Sequence, residues 1–150
     1  MKNLLILCLF LVSPFLVFSQ KSVYDKNLAD SLGADDYGMK SYTLVMLKTG
    51  SGNIEDKARV DSLFRGHLDN IGRLAEAGEL IVAGPLGKNS NNYRGIYIFD
   101  EPDKAKVAEL LLTDPAIKAD LLAYDIYSWY GSAALPVYLE THSKIEKIRP

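Results

Sequence analysis

Residues 55–77 read EDKARVDSLFRGHLDNIGRLAEA, and the spacing of their apolar residues predicts one long helix. Side chains that recur at steps of four and three lie on a single helical stripe, which here consists of Val60, Phe64, His67, Ile71 and Leu74. Such a stripe faces the core, so His67 is expected to point inward among apolar neighbours. A buried imidazole requires partners for its ring nitrogens, because an unsatisfied polar group in the interior is costly. The fold should therefore bring a polar group close to His67.

The segments on either side of this helix predict an antiparallel sheet. Strands are expected at 41–48 (SYTLVMLK), 79–83 (ELIVA), 93–99 (YRGIYIF) and 122–130 (LAYDIYSWY). A second helix is expected to start near Pro102 and to run to about Leu112. The order is strand, helix, strand, strand, helix, strand. It predicts an α+β, ferredoxin-like βαββαβ fold, with both helices on one face of the sheet.

The other face of that sheet would be left open, although large side chains occur in three of the four strands. Those considered are Tyr42, Leu44, Tyr97, Tyr124 and Trp129, and the pattern does not fix the face on which each one lies. Packing against the sheet of a second copy would bury such a face, so we expect a homodimer. The tail, residues 131–150, has apolar residues at roughly helical spacing and is expected to pack on the partner subunit.

The beginning of the chain predicts a secretory signal peptide at residues 1–19. A short positive segment precedes an apolar run from Leu4 to Phe18, and cleavage is expected before Gln20. Retention as a membrane anchor is the less favoured alternative, since the run is short for a span and contains Pro14. The mature protein is therefore expected to be periplasmic or secreted. It would comprise a polar leader at 20–38, an α+β domain at 39–130 and the tail, with no membrane span.

Composition excludes several classes of function. Cys8, the one cysteine, would leave with the signal peptide, so neither a disulfide nor a thiolate site is expected. Removal of Lys2 leaves 16 basic against 19 acidic side chains, a net charge of −3 that argues against nucleic-acid binding. His142 lies far along the chain from His67 without a carboxylate cluster, so no metal site is expected. No nucleotide or phosphate fingerprint is present, and no cofactor is expected.

Three short motifs resemble the YCII-related family of small dimeric α+β barrel proteins. They are Arg65-Gly66-His67-Leu68, Gly78-Glu79-Leu80 leading into Ala83-Gly84-Pro85, and Thr113-Asp114-Pro115, with Trp129 closing the last strand. The resemblance covers about residues 39–130 and implies a dimeric α+β barrel. It also implies that His67 and Asp114 form an active-site dyad. Most members have no established reaction, but one related enzyme removes chloride from a chlorinated hydroxyquinol. The fold is shared with muconolactone isomerases and small oxygenases.

The chemistry of such a dyad can be argued separately from the resemblance. A carboxylate that accepts one ring N–H fixes the tautomer of a histidine, and the other nitrogen then serves as a general base or acid. Alternatives remain for both residues. His67 would also fit a core histidine bonded to a carbonyl, and Asp114 followed by Pro115 is a common helix N-cap pair. Asp114 has enough acceptor sites to do both jobs.

Other candidate residues have weaker support. Lys88 and Arg94, beside the loop at 84–92, would hold an anionic substrate, although a solvated loop is the favoured interpretation. Tyr42, Tyr97 and Trp129 would line an aromatic pocket or, more commonly, fill the core or a dimer interface.

The sequence thus predicts a cofactor-independent enzyme that uses the dyad for proton transfer on a small organic molecule, in an isomerisation or elimination. The alternative is a non-catalytic module of the cell envelope that binds a small ligand or has a structural role. In a further alternative, residues 131–150 dock the protein into a larger envelope assembly.

Overall fold

The fold of residues 23–148, the part of the chain that this computed structural model describes, is a sheet with helices on both sides. The elements are α1 (Lys26–Leu32), β1 (Met39–Thr49), α2 (Lys57–Glu76), β2 (Leu80–Pro85), β3 (Tyr93–Phe99), α3 (Lys104–Leu111), α4 (Pro115–Lys118), β4 (Leu122–Ser132), a 3-10 turn (Leu135–Val137) and α5 (Tyr138–Ile145). The predicted signal peptide at 1–19 lies outside the described residues.

The sheet has the order β2-β3-β1-β4, and every neighbouring pair is antiparallel. This topology confirms the ferredoxin-like βαββαβ prediction. Three strands differ from it in their bounds. β1 begins two residues before Ser41, β2 spans Leu80–Pro85 instead of 79–83, and β4 continues to Ser132. A register shift between Leu47 and Lys48 interrupts the pairing of β1 with β3 and places Tyr93 opposite Lys48.

Local capping chemistry sets the ends of the two main helices. The Asp56 side chain accepts hydrogen bonds from the backbone of Ala58 and Arg59, which starts α2, and Gly78 takes a positive φ of 74° just after its end. The second helix begins at Lys104, close to the start expected near Pro102, and Asp103 caps it by accepting from the Ala105 N–H.

The main core lies between α2, α3 and α4 and one face of the sheet. Strand residues that alternate along β1 and β3 point into it and are fully or almost fully buried: Val45, Leu47, Tyr97 and Phe99. The helices contribute Leu74, Val107, Leu111 and Ile117. Burial of these side chains supplies the largest share of the stabilising free energy.

The second face of the sheet carries a smaller core, and the tail of the same chain covers part of it. Tyr42, Ile81 and Ile98 are buried there, with Leu135 and Leu139 packed against them. The Tyr138 hydroxyl donates to the Ile81 carbonyl. Part of the tail therefore packs on its own sheet, because residues 133–139 turn back directly after β4. Packing of the tail on a partner subunit stays a prediction.

The predicted polar leader is joined to the sheet at its C-terminal end. It contains the short helix α1. The Tyr130 hydroxyl donates to the Asp35 carboxylate, and the Ala133 N–H donates to the Gly38 carbonyl. None of the helices formed by residues 23–148 is long and apolar enough to cross a membrane.

Candidate functional site

His67 lies on the inward stripe of α2, as its spacing predicts. Phe64 and Ile71 on the same stripe pack against the main core, Leu74 is buried within it, and the His67 side chain is only 12% exposed. Its Nδ1 atom lies 2.6 Å from Oδ2 of Asp114. The structure therefore brings together the two residues that the resemblance implies, 47 positions apart in the sequence.

Asp114 performs two tasks at once. Its Oδ1 atom accepts hydrogen bonds from the backbone N–H groups of Ala116 at 2.8 Å and Ile117 at 3.4 Å, which caps α4. Its Oδ2 atom faces the imidazole. Since a carboxylate with two N–H donors at one oxygen acts as an acceptor, the His67 Nδ1 atom carries the proton and donates it. Asp114 is thus both the N-cap of α4 and the hydrogen-bond partner of His67.

A close approach of α2 and α4 makes the contact between His67 and Asp114 geometrically possible. A Cβ atom at Gly66 would lie 2.7 Å from Cγ of Pro115, so only glycine fits at this point. Gly66 immediately precedes His67, and Pro115 immediately follows Asp114. The motif around His67 and the motif around Asp114 therefore contact each other through Gly66 and Pro115.

A second set of hydrogen bonds holds the same two segments together. The Asn70 Oδ1 atom lies 2.9 Å from Thr113 Oγ1 and 2.9 Å from Arg73 Nη2. Asn70 is one helical turn beyond His67, and Thr113 precedes Asp114. These bonds fix the loop that carries the carboxylate. Sequence reasoning missed Asn70 as part of the site, because its partner is 43 positions away.

Tyr97 is the third polar group at the site. Its hydroxyl lies 3.4 Å from His67 Nε2, and its side chain is buried on β3. Burial raises the pKa of the Tyr97 phenol far above its usual range, and the nearby negative charge of Asp114 adds to this effect. The phenol therefore stays protonated and acts as the hydrogen-bond donor towards Nε2.

The expected grouping of Tyr97 with Tyr42 and Trp129 is wrong. Tyr97 faces the main core beside His67, whereas Tyr42 and Trp129 pack against each other on the second face, with ring centroids 5.4 Å apart. Alternation within one strand does not reveal this separation, because the face of each strand depends on its register with the neighbouring strands.

A cavity of about 300 Å³ opens beside the dyad. His67 and Tyr97 line it together with mainly apolar groups, namely Leu47, Leu68, Ile71, Ala83, Gly84, Pro85 and Gly95. Among the described residues, Arg94 is the one cation in this lining, whereas Lys88 is exposed in the loop after β2 and does not take part. That either residue holds a substrate stays a prediction. Within residues 23–148, no group of three or more histidine, cysteine or acidic side chains is arranged to hold a metal ion.

Fold and site together define a ferredoxin-like α+β domain with a buried histidine–aspartate pair beside an apolar cavity. No protein-family model matches the chain, and no curated protein matches it. One solved structure that is similar to part of it is a 5-chloro-2-hydroxyhydroquinone dehydrochlorinase from Burkholderia phenoliruptrix AC1100, in complex with 2,5-dihydroxybenzoquinone. The sequences are 22% identical, and the match covers 59% of this chain and 92% of that one, with a TM-score of 0.43. At this level of likeness, the fold assignment depends on the sheet topology described above.

Proposed function

We propose that the protein is a cofactor-independent enzyme that transfers a proton on a small organic molecule, in an isomerisation or an elimination. The 2.6 Å contact between His67 and Asp114, at the wall of a cavity, is the observation that carries this proposal. The carboxylate holds one ring nitrogen, and the second nitrogen faces Tyr97, which lines the same cavity as His67.

The roles of the two residues follow from the tautomer. Asp114 holds the Nδ1–H, so the Nε2 lone pair is directed to the side of the ring where Tyr97 and the cavity lie. Nε2 would take a proton from the substrate, and the negative carboxylate would stabilise the imidazolium that forms. Positioned general acid–base groups of this kind contribute about 10²–10⁴-fold to a rate.

Membership of the YCII-related family forms part of the proposal. Its support is that the motif residues lie together in space, since Gly66 approaches Pro115 where His67 meets Asp114.

Export of the protein also forms part of the proposal. Expression of the full chain in a Gram-negative host should give a periplasmic product whose mass corresponds to a chain that begins at Gln20. Recovery of the full-length chain in the membrane fraction would support the retained anchor instead.

Incubation with small organic compounds in D₂O tests the reaction class with no single substrate assumed. In the presence of the wild-type protein, some members of a panel of carbonyl, phenolic and carboxylic compounds should incorporate deuterium. NMR measures the rate of this exchange. His67→Ala should reduce the exchange rate by at least ~100-fold. His142→Ala is the matched control, since His142 is exposed in α5 outside the cavity, and it should exchange at the wild-type rate.

A non-catalytic ligand-binding module is the second candidate, and the apolar character of the cavity favours it. Such a module would bind members of the same panel without exchanging their protons. Equal exchange with wild-type and His67→Ala protein for every compound that binds would support this candidate and contradict the enzyme proposal.

A further inference from the structure

Tyr97 and His67 present two complementary groups to the same cavity. The His67 Nε2 atom is a proton acceptor, and the Tyr97 hydroxyl is a donor 3.4 Å away. Hydrogen bonds that a hydroxyl donates are normally about 2.7–3.0 Å long, so the contact between these two groups is weak. A ligand oxygen can replace Nε2 as the acceptor for the Tyr97 hydroxyl at little cost.

We propose that Tyr97 is a catalytic residue that donates a hydrogen bond to a substrate oxygen, and that the substrates are small, largely apolar carbonyl compounds with an acidic C–H beside the carbonyl. This inference rests on the proposed function and names its substrate class. The sequence pattern does not fix the face of Tyr97, whereas the tertiary structure places it beside the base.

The step involves two proton transfers and no other reactant. Nε2 takes the proton from the carbon beside the carbonyl, and the electron pair of that C–H bond forms a C=C bond. The carbonyl π pair moves onto the oxygen, which becomes an enolate held by the Tyr97 O–H. In a β,γ-unsaturated carbonyl compound this enolate is conjugated with the second C=C bond, so the imidazolium can return the proton to the γ carbon. The C=C bond then lies between the α and β carbons and the C=O bond re-forms, which completes an isomerisation. The Tyr97 proton is shared with the oxygen throughout and is not lost.

The spacing of the two groups suits this class. A carbonyl oxygen and the carbon next to its carbonyl carbon are about 2.4 Å apart, given ordinary bond lengths. A base and a donor separated by 3.4 Å can therefore each reach one of these atoms. A preorganised donor is most effective where the negative charge develops, since it needs no reorganisation during the reaction. The high pKa of the buried phenol supports this assignment, because Tyr97 remains a donor over the whole range in which the imidazole acts as a base.

The remaining walls limit the substrate further. Leucine, isoleucine, alanine and proline side chains dominate the lining, and Arg94 is the one cation that the described residues contribute to it. A polyanion such as a phosphate ester would leave several charged oxygens unpaired there, at a large cost. The volume of about 300 Å³ lies at the lower limit of ligand sites, which suits a molecule of about one ring.

Binding of 4-nitrophenol, an oxyanion probe, and of nitrobenzene, its neutral counterpart, tests the role of Tyr97 separately from turnover. Calorimetry with the full mature chain should show that the wild-type protein binds 4-nitrophenol at least ~10-fold more tightly than nitrobenzene. Tyr97→Phe should lose most of this preference and keep its affinity for nitrobenzene. Tyr93→Phe, on the same strand but outside the cavity lining, is the matched control and should behave as the wild type.

The outcomes separate the two proposals. An unchanged preference in Tyr97→Phe, or an equal loss of affinity for both probes, would overturn the role of Tyr97 and leave the dyad intact. If the wild-type protein bound neither 4-nitrophenol nor nitrobenzene, the cavity would not be a ligand site. That result would contradict both the substrate class and the proposed function. Near-UV circular dichroism of each variant would verify that the fold is kept, as expected because phenylalanine preserves the ring.

Discussion

At the residue scale, the proposed function depends on the partners of the two carboxylate oxygens of Asp114. Asp114 is almost fully buried, and each oxygen has its own partners: the α4 backbone for Oδ1 and the imidazole for Oδ2. A buried carboxylate without such partners would be strongly destabilising. The same contacts that make Asp114 tolerable in the interior also orient His67.

Asp114→Asn should invert the tautomer of His67. The amide oxygen can still accept the backbone hydrogen bonds that cap α4. The amide N–H₂ group then faces Nδ1 as a donor, so the ring proton should move to Nε2. Proton transfer should fall by about 10²–10⁴-fold, because Nε2 no longer has a free lone pair. Long-range ¹H–¹⁵N spectra of the imidazole report which nitrogen carries the proton. Asp103→Asn, at the α3 cap without a histidine partner, should leave that spectrum unchanged. An unaltered His67 tautomer in Asp114→Asn would contradict the orienting role.

At the element scale, the junction of α2 with α4 decides whether a site exists. α4 is a single turn of four residues, too short to be stable alone. Three features hold it against α2: the Gly66–Pro115 approach, the Asp114 carboxylate and the bonds from Asn70 to Thr113. The junction is rigid because each feature constrains a different residue of the segment 113–115.

Gly66→Ala should destabilise the protein and disturb the dyad. The added Cβ would meet Pro115 Cγ at 2.7 Å and push α4 away, at a cost of about 1–3 kcal/mol that the higher helix propensity of alanine offsets in part. Urea unfolding measures the change, and the signal of the bonded Nδ1–H should weaken. Gly72→Ala on the same helix has no atom within 4 Å of its new Cβ, so it should gain up to about 1 kcal/mol. Equal effects of the two substitutions would refute the packing argument.

The secondary-structure elements themselves are largely predictable. Periodicity locates α2 and the four strands, because buried and exposed positions alternate regularly along each of them. Pro102 locates the start of α3 approximately, and the Asp103 cap sets its first residue. The irregular start of β3 is not predictable, because a register shift depends on the partner strand.

At the scale of the whole molecule, the tail changes what the second face of the sheet presents. Leu135 and Leu139 cover the end of the face formed by Tyr42, Ile81 and Ile98. The other end keeps half-buried or exposed apolar side chains, and it is formed by Leu44, Met46, Ile96 and Tyr127. We therefore propose a homodimer through this remaining region alone.

Leu139→Ala should show that the tail is a structural part of the domain. Partial burial of this side chain against the second face predicts a loss of ~1–2 kcal/mol in the free energy of unfolding. Ile145→Ala, where the side chain is 74% exposed, should change stability by less than about 0.5 kcal/mol. Thermal or urea unfolding gives both values. A tail that unfolds in a separate transition, without effect on the sheet, would refute the assignment.

Tyr127→Arg should convert the proposed homodimer into a monomer. Tyr127 is 49% exposed and lies opposite Leu44, so a charge placed there would be buried unpaired in the interface. Light scattering should give the mass of two chains for the wild type and of one chain for the variant. Tyr37→Arg, at a residue that is 86% exposed in the leader, should leave the dimer intact. A wild-type mass of one chain at high concentration would exclude the dimer.

Local periodicity is enough to establish the class of fold and the inward position of His67, because both follow from which residues share one face of a helix or strand. Three other features appear only once the chain is folded: His67 meets Asp114, Tyr97 joins them while Tyr42 does not, and the tail covers its own sheet. The contacts of His67 with Tyr97 and with Asp114 join residues 30 and 47 positions apart. Contacts over such separations depend on helix approach and strand register, and both are set by packing across the whole domain.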